Sequence, residues 1–322
     1  MAPTIAIVAD DNTGATDAAG MLTSYGARAL LILDADLVDE SGKPAGYEAV
    51  VVSTRIRSIK PDDAYRLTRR ILENVDAWGF DMIQLKYCST FDSTPEGNIG
   101  QSLDAACDLF GFSSTIVCPA LPVNGRTTYM GYHFVNGKLL SESPLSRHPL
   151  NPMTDPDLVR WLGMQTERGV GLVDLHTLRR GAEAARDTRR RLEQDGKTYH
   201  VTDAIELSDI ETALEAYDDV PFVSGGSGIS QALGNAYYED LPPLDFSERL
   251  AGLSPTLAVI SGSESPTARA QREHAIRHGF AEVTVHPVDI LEEWEKNGEV
   301  AENASVVLDA AERAAGHTRG GR

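Results

Sequence analysis

The chain has 322 residues, with 29 Lys plus Arg against 48 Asp plus Glu and a formal charge of −19 at pH 7. That imbalance excludes a broad nucleic-acid-binding surface but not an anionic ligand, which needs only a few local cations. Hydrophobic residues at 42 % suffice for packed cores, the length suggests two domains, and no stretch approaches the ~18 apolar residues of a membrane span.

Apolar runs of strand length alternate with helix-period segments. Residues 4–9 (TIAIVA) form an expected strand, 14–25 a helix, and 29–33 and 49–53 further strands. Residues 61–78 read as a helix, with Pro61 in the first turn and Asp62 and Asp63 at its positive end. Residues 81–87 form a strand, 97–110 a helix and 114–118 a strand. The pattern then changes: 130–140 carries Asn136-Gly137 between apolar runs, a hairpin signal, and 141–154 reads as a long polar, Pro-containing loop. Alternation resumes with strands at 169–174, 199–202 and 221–224 and helices at 178–194 and 208–217. The Arg-rich 178–194 segment reads as a solvated helix face, because Leu178, Ala182, Ala185 and Leu192 form an apolar stripe opposite its charges. Residues 239–255 suit a linker, followed by a strand at 256–260, a helix at 266–278 and a strand at 281–285. The expected fold is α/β: a parallel-sheet domain over 1–238, the linker, and a second α/β unit over 256–322.

The N-terminus lacks a cationic leader region and reads as a strand, not a signal peptide. Cys88, Cys107 and Cys118 form no CxxC pair and no metal-ligand spacing, so a reduced, cytoplasmic protein is expected.

Five segments could carry chemistry, all placed where a strand gives way to a helix or loop. In Asp10-Asp11-Asn12-Thr13-Gly14, two adjacent carboxylates stand where ligands collect in parallel sheets, with Asp17 one turn on. One Asp would serve as a helix cap; two suit substrate hydroxyls or a metal. A phosphatase of the haloacid dehalogenase type would need Asp-x-Asp after this first strand, whereas the acids there are adjacent. Residues 86–94 (KYCSTFDST) combine Lys86, Asp92, Ser93 and further hydroxyls, a density suited to a polyhydroxylated acid. Lys86 ends an apolar strand, where an unpaired cation is costly unless it faces a site. Asn124 and Arg126, in the loop after 114–118, offer donors for a carboxylate or phosphate, and Arg57 is a candidate carboxylate clamp. Gly226 and Gly228, with Ser261-Gly262-Ser263, open two strand-to-helix turns where backbone N–H groups can approach phosphate, although neither is a Walker loop. His133 and His148 in the hairpin–loop region are either substrate contacts or loop histidines without a role.

Together these segments resemble the four-carbon acid sugar kinases, and within them the 3-oxo-tetronate branch. The resemblance rests on Asp10 to Asp17, on KYCSTFDST followed by GNIG (86–100), on PALPVNGRT (119–127), on HPLNPMTD (148–155) and on the glycine turn 225–228. It implies an N-terminal sugar-acid-binding domain and a C-terminal nucleotide-binding domain. Asp10, Arg57, Lys86, Ser93, Asn124 and Arg126 would hold the acid, and Asp11 or Asp92 would take the hydroxyl proton. Ser261, Gly262 and Ser263, with Gly226 and Gly228, would meet ATP, used with Mg²⁺; the metal ligands stay open. The implied reaction moves the γ-phosphoryl group of ATP to the C4 hydroxyl of 3-oxo-tetronate. A sister threonate or erythronate kinase is the near variant. The family's later Gly-Gly-Glu-Thr and Lys-Ser-Gly-Asn-Phe-Gly motifs do not occur, so the nucleotide domain is expected to be cut short. A non-catalytic sugar-acid-binding protein that has lost its ATP domain is therefore the alternative from another class. The expected partner is a small four-carbon acid, with no nucleic acid or membrane and room for a homo-oligomer.

Overall fold

Strands rich in Val, Ile and Ala are buried on both faces, which suits a parallel sheet covered by helices on each side. In the computed structural model, residues 2–39, 42–148, 150–245, 247, 259–263, 265–284 and 286 are described. The chain divides into two units, Met1–Asp245 and Phe246–Arg322.

The first unit runs β1 (Ile5–Ala9), α1 (Asn12–Ser24), β2 (Ala29–Ile32), β3 (Ala49–Ser53), α2 (Pro61–Ala77), β4 (Met82–Lys86), α3 (Ile99–Phe110) and β5 (Thr115–Cys118). A small antiparallel sheet follows, made of β6 (Arg126–Tyr129), β7 (Tyr132–Val135) and β8 (Lys138–Leu139). Then come α4 (Leu158–Gly163), β9 (Gly169–Val173), α5 (Leu175–Leu178), α6 (Ala182–Gln194), β10 (Lys197–Thr202), α7 (Leu207–Glu215), β11 (Phe222–Gly225) and α8 (Ser227–Tyr238). The eight parallel strands lie in the order β2-β3-β1-β4-β11-β5-β10-β9.

Alternate residues of each strand feed opposite cores. Ala6, Val8, Val50 and Val52 pack with Ile71, Leu72 and Val75 of α2 and Leu103 of α3. Ile5, Ile7 and Val51 pack with Ala15, Ala18 and Leu22 of α1 and Ile229 and Leu233 of α8. From β1 the chain moves to β2 and β3 on one side; from β4 it moves toward β5 on the other. The strand ends of β1 and β4 therefore flank a topological switch point, where a crevice opens at the C-terminal edge.

Several expected elements are redrawn. The helix expected over 178–194 is two helices, because Gly181 at φ 96 breaks the chain between α5 and α6. On α6, Arg186 pairs with Glu183 and Asp218, and Arg189 with Glu193 and Asp219, so these cations serve acidic neighbours on the protein. The hairpin turn forms at Asn136 (φ 52) and Gly137 (φ 76), and β6 extends it to three strands. In place of one long loop, residues after β8 form 3₁₀ turns at Leu140–Glu142 and Pro144–Arg147. Leu241 packs on the core beside α8, so the start of the expected linker belongs to the first unit. In the second unit α9 (Pro266–Arg277) forms as expected, capped by Ser265, whose side chain accepts from Ala268 N–H. Most of the strand expected at 256–260 lies outside the described residues. Residues 281–284 are not a strand, since among the described residues no neighbouring strand pairs with them.

Glycine is structurally required where β11 enters α8. A Cβ on Gly228 would stand 2.2 Å from the Ala120 carbonyl oxygen and 2.8 Å from Ile210 Cδ1. Gly228→Ala should therefore cost about 2 kcal/mol. Gly20→Ala, on α1 with nothing within 4 Å of the added carbon among the described residues, should gain about 0.5–1 kcal/mol. Urea midpoints of the two variants, moving in opposite directions, check both.

Candidate functional site

The crevice at the switch point gathers charges from three strand ends. Asp10 and Asp11 follow β1, and Asp11 caps α1 by accepting the Gly14 N–H at 2.7 Å. Arg57 comes from the 3₁₀ turn Ile56–Ser58 after β3, entered through Arg55 at φ 56. Its Nε and Nη2 donate to Asp10 Oδ2 and Oδ1 at 2.8 and 3.0 Å, a bidentate pair. Its Nη1 lies 2.9 Å from Asp11 Oδ2 and 3.6 Å from Asp92 Oδ2. One guanidinium thus bridges three carboxylates from two separate segments.

Lys86 closes the group from β4. It is buried, and a Cβ on Gly14 would stand 2.5 Å from both its Nζ and Asp11 Oδ1, so the glycine makes room for the ammonium beside Asp11. Asp10 also receives a strand-edge role: its N–H donates to the Lys86 carbonyl at 2.9 Å. Burial pushes the Asp10 carboxyl above its ordinary pKa, against the pull of Arg57 and Lys86. Asp92 is buried, and its Oδ1 has no hydrogen-bond partner.

Asp10, Arg57 and Asp92, with Asp11, border a cleft of about 290 Å³ that Arg55, His148 and Asn151 also line. That volume is ample for a four-carbon acid, at the small end of ordinary ligand sites. A separate, narrow recess shares Asp10, Arg57 and Asp92 with the cleft and is also lined by Lys86, Asn98 and Ser102. The positive φ at Arg55 and at Phe91 (φ 55) marks backbone held against its preference on both sides of the cleft.

Sequence reasoning brought together Asp10, Asp11, Arg57, Lys86 and Asp92, and the structure does the same. Among the other expected substrate or phosphate contacts, Ser93, Asn124, Arg126, Gly226 and Gly228 do not line this cleft. Ser93 is corrected: its hydroxyl donates to Phe91 O at 2.8 Å and accepts from Trp161 Nε1 and Gln165 Nε2, each at 3.0 Å, which saturates it inside the core. Asn124 is exposed on a 3₁₀ turn, with its carbonyl accepting from Arg126, and neither residue lines the cleft. The reason is β11, which inserts between β4 and β5, so the loop after β5 opens two strand spacings, about 10 Å, from β4. Gly226 packs against the Pro119 carbonyl, 2.4 Å from where its Cβ would be, and Gly228 packs likewise on Ala120. Ser261, Gly262 and Ser263 lie exposed in the second unit, ahead of α9.

Asn98, His148 and Asn151 were not singled out as contacts, apart from the open alternative for His148. Asn98 fixes the Arg57 turn by donating to Ile56 O at 2.6 Å and Ile59 O at 2.7 Å. The polar loop containing His148 and Asn151 carried the only sequence signal for them. His133 is resolved as structural: its Nε2–H donates to Ser89 O at 2.8 Å, so Nδ1 accepts from Thr128 Oγ1 at 3.0 Å. Among the described residues no three His, Cys, Asp or Glu side chains gather to hold a metal. The three converging carboxylates already share the Arg57 cation, so this cluster does not fit a metal ion.

With this geometry in place, comparison with known proteins decides the family. The sequence pattern of the sugar-binding N-terminal domain matches residues 5–233. The chain belongs to that family. It is 40 % identical over 277 residues to a 3-oxo-tetronate kinase of Salmonella typhimurium, covering 84 % of this chain and 64 % of the relative. A Haemophilus influenzae protein of known structure is 35 % identical with a TM-score of 0.70, over 73 % of this chain and 57 % of that one. A Bordetella bronchiseptica protein, solved as a domain-swapped dimer with bound citrate, is 25 % identical with a TM-score of 0.57, over 73 % and 56 %. The chain thus spans less than two thirds of the length of the Salmonella kinase. Among the described residues no helix is long and apolar enough to cross a membrane.

Two outcomes follow for this sugar-binding domain. Arg57→Met strands Asp10 and Asp92 without their shared cation and should cost about 3 kcal/mol at pH 7. The loss should shrink toward pH 4, where the stranded Asp10 takes a proton; urea titrations at both pH values check it. Burial lowers the His133 and His200 pKa values to about 4, from 6.5. Each is neutral when folded and protonates when unfolded, so stability is full above about pH 6.5 and falls as pH drops toward 4. Each should contribute a loss of about 2 kcal/mol by pH 5. His133→Gln should flatten that part of the pH–stability curve.

Proposed function

We propose that this cleft binds a four-carbon sugar acid as the acceptor of an ATP-dependent kinase, most specifically 3-oxo-tetronate phosphorylated at its C4 hydroxyl. The observation that carries the reading is the cleft itself, with Arg57 as a cation on its wall and Asp92 Oδ1 as a buried acceptor with no partner, beside the recess that Lys86 lines. The Salmonella relative bears the name of that kinase, and the Bordetella relative holds citrate, also a small hydroxy acid.

The atoms divide as follows. Arg57 and Lys86 hold the anionic end of the acid. The C4 hydroxyl donates to a carboxylate, attacks the γ-phosphorus and forms the O4–P bond as the bond to the β-phosphate oxygen breaks. Asp92 is the better proton acceptor of the two candidates. Both Asp11 oxygens are engaged, Oδ1 by Gly14 N–H and Oδ2 by Arg57, whereas Asp92 Oδ1 is free to accept. Phosphoryl transfer needs positioning and charge neutralisation more than covalent chemistry, which this constellation suits.

ATP would meet Ser261-Gly262-Ser263, where Gly262 has nothing within 4 Å of an added Cβ among the described residues and the N-terminus of α9 follows. Gly226 and Gly228 keep a packing role in this reading. Mg²⁺ would arrive on the ATP phosphates, since the cleft carboxylates are already paired with Arg57. The reaction is placed in the cytoplasm, where ATP and free thiols such as Cys88 coexist, and self-association like that of the Bordetella relative is an open variant.

The chain should gain several degrees of thermal stability from millimolar 3-oxo-tetronate, more than from threonate or erythronate. An Asp92→Asn variant should still be stabilised by the acid, while ADP release falls at least 100-fold from any wild-type rate. Absence of stabilisation by all three acids overturns the reading. Stabilisation without ADP release restricts it to sugar-acid binding.

A further inference from the structure

The cleft is bordered by a second polar group without a partner, opposite in character to Asp92. Asn151, in the loop between the Pro144–Arg147 turn and α4, is 3 % exposed, and its Nδ2 makes no hydrogen bond. Its own backbone is fixed, because its N–H donates to His148 Nδ1 at 3.1 Å. A buried amide donor left unpaired costs about 1–3 kcal/mol, so its retention at a cleft wall calls for a partner that is not part of the chain. Asp92 Oδ1, on the loop after β4, is buried and unpaired at the same cleft.

We infer that Asn151 is a ligand-binding residue that donates from its side-chain amide to an acceptor oxygen of the bound acid, at the opposite end from the hydroxyl taken by Asp92. The two orphan groups define the ligand's polarity. Asp92 Oδ1 needs an O–H and Asn151 Nδ2 an acceptor, best supplied by a carbonyl or carboxylate oxygen, and Arg57 lies on the cleft with both. A sugar acid with a free hydroxyl and an oxo or carboxylate oxygen satisfies the two at once; a simple polyol lacks the pure acceptor. This inference rests on the sugar-acid reading and names the residue that selects within that class.

The chemistry distinguishes a ligand contact from a structural one. Asn151→Leu keeps the branched outline of the side chain and removes an unpaired donor, so the unliganded protein should melt no lower than wild type. A structural amide would instead lower the melting temperature when replaced. Affinity should fall at least tenfold for 3-oxo-tetronate and for citrate, read by calorimetric titration of the 322-residue chain. Asn151→Asp, which places a carboxylate against the ligand's acceptor, should fall further, and Asn151→Gln should recover part of the loss. Wild-type binding with an unchanged Kd in Asn151→Leu overturns this inference alone. Failure of wild type to bind any of these acids overturns both it and the sugar-acid reading.

Discussion

The bidentate pair between Arg57 and Asp10 is the interaction on which the rest of the site depends. Asp10 stands at the C-terminal end of a central strand, buried, where an isolated carboxylate would be held neutral. A guanidinium matches both of its oxygens in one plane and still has Nη1 left to reach Asp11 and Asp92. Lysine could not do this with one ammonium. The pair brings little net stability, since its desolvation cost is of the same order as its attraction. What it fixes is position: the turn after β3 is drawn against the end of β1, and Asn98 holds that turn from the other side through three carbonyl contacts.

The sheet makes this possible and also limits it. Placing β1 beside β4 brings Asp10 and Lys86 to adjacent strand ends, with Ala9 and Lys86 in register. Placing β11 between β4 and β5 moves the loop after β5 away and fills the space with glycine. Gly225, Gly226 and Gly228 run close under the carbonyls of Cys118, Pro119 and Ala120, at distances where any side chain would clash. A glycine-rich strand-to-helix turn is thus explained here by backbone packing.

Much of the first unit was legible in the sequence because both periods were clear: β-branched runs of five residues and helix-period segments between them. The identity of the site was legible because its residues sit at strand ends, and parallel strands share one edge. The lateral order of the strands was not legible. Nothing local to residues 222–225 shows that they insert between β4 and β5, and that order alone separates Asn124 and Arg126 from the cleft. Ser93 was misread for a related reason: a hydroxyl in a polar segment looks available until the folded chain brings Trp161 and Gln165 onto it. Asn98 and Asn151 were missed because an asparagine declares its role only through its partners. Asn98 has three carbonyls, whereas the Asn151 amide has none.

An acidic protein with three carboxylates around its cleft still makes physical sense as a receptor for an acid. The carboxylates do not face the cleft as free charges; all three are tied to Arg57, whose cation offsets part of their charge, and buried Lys86 stands beside Asp11. An anion in the cleft would meet a guanidinium whose weakest contact, the 3.6 Å approach to Asp92, is the one most easily exchanged. Loosening that contact leaves Nη1 on Asp11 and opens the Asp92 side of the guanidinium to the ligand. A neutral sugar of the same size would not compete for Arg57, so it would leave the contact with Asp92 in place. Under the proposed function, selection for an acid over a neutral sugar follows from that exchange at Arg57.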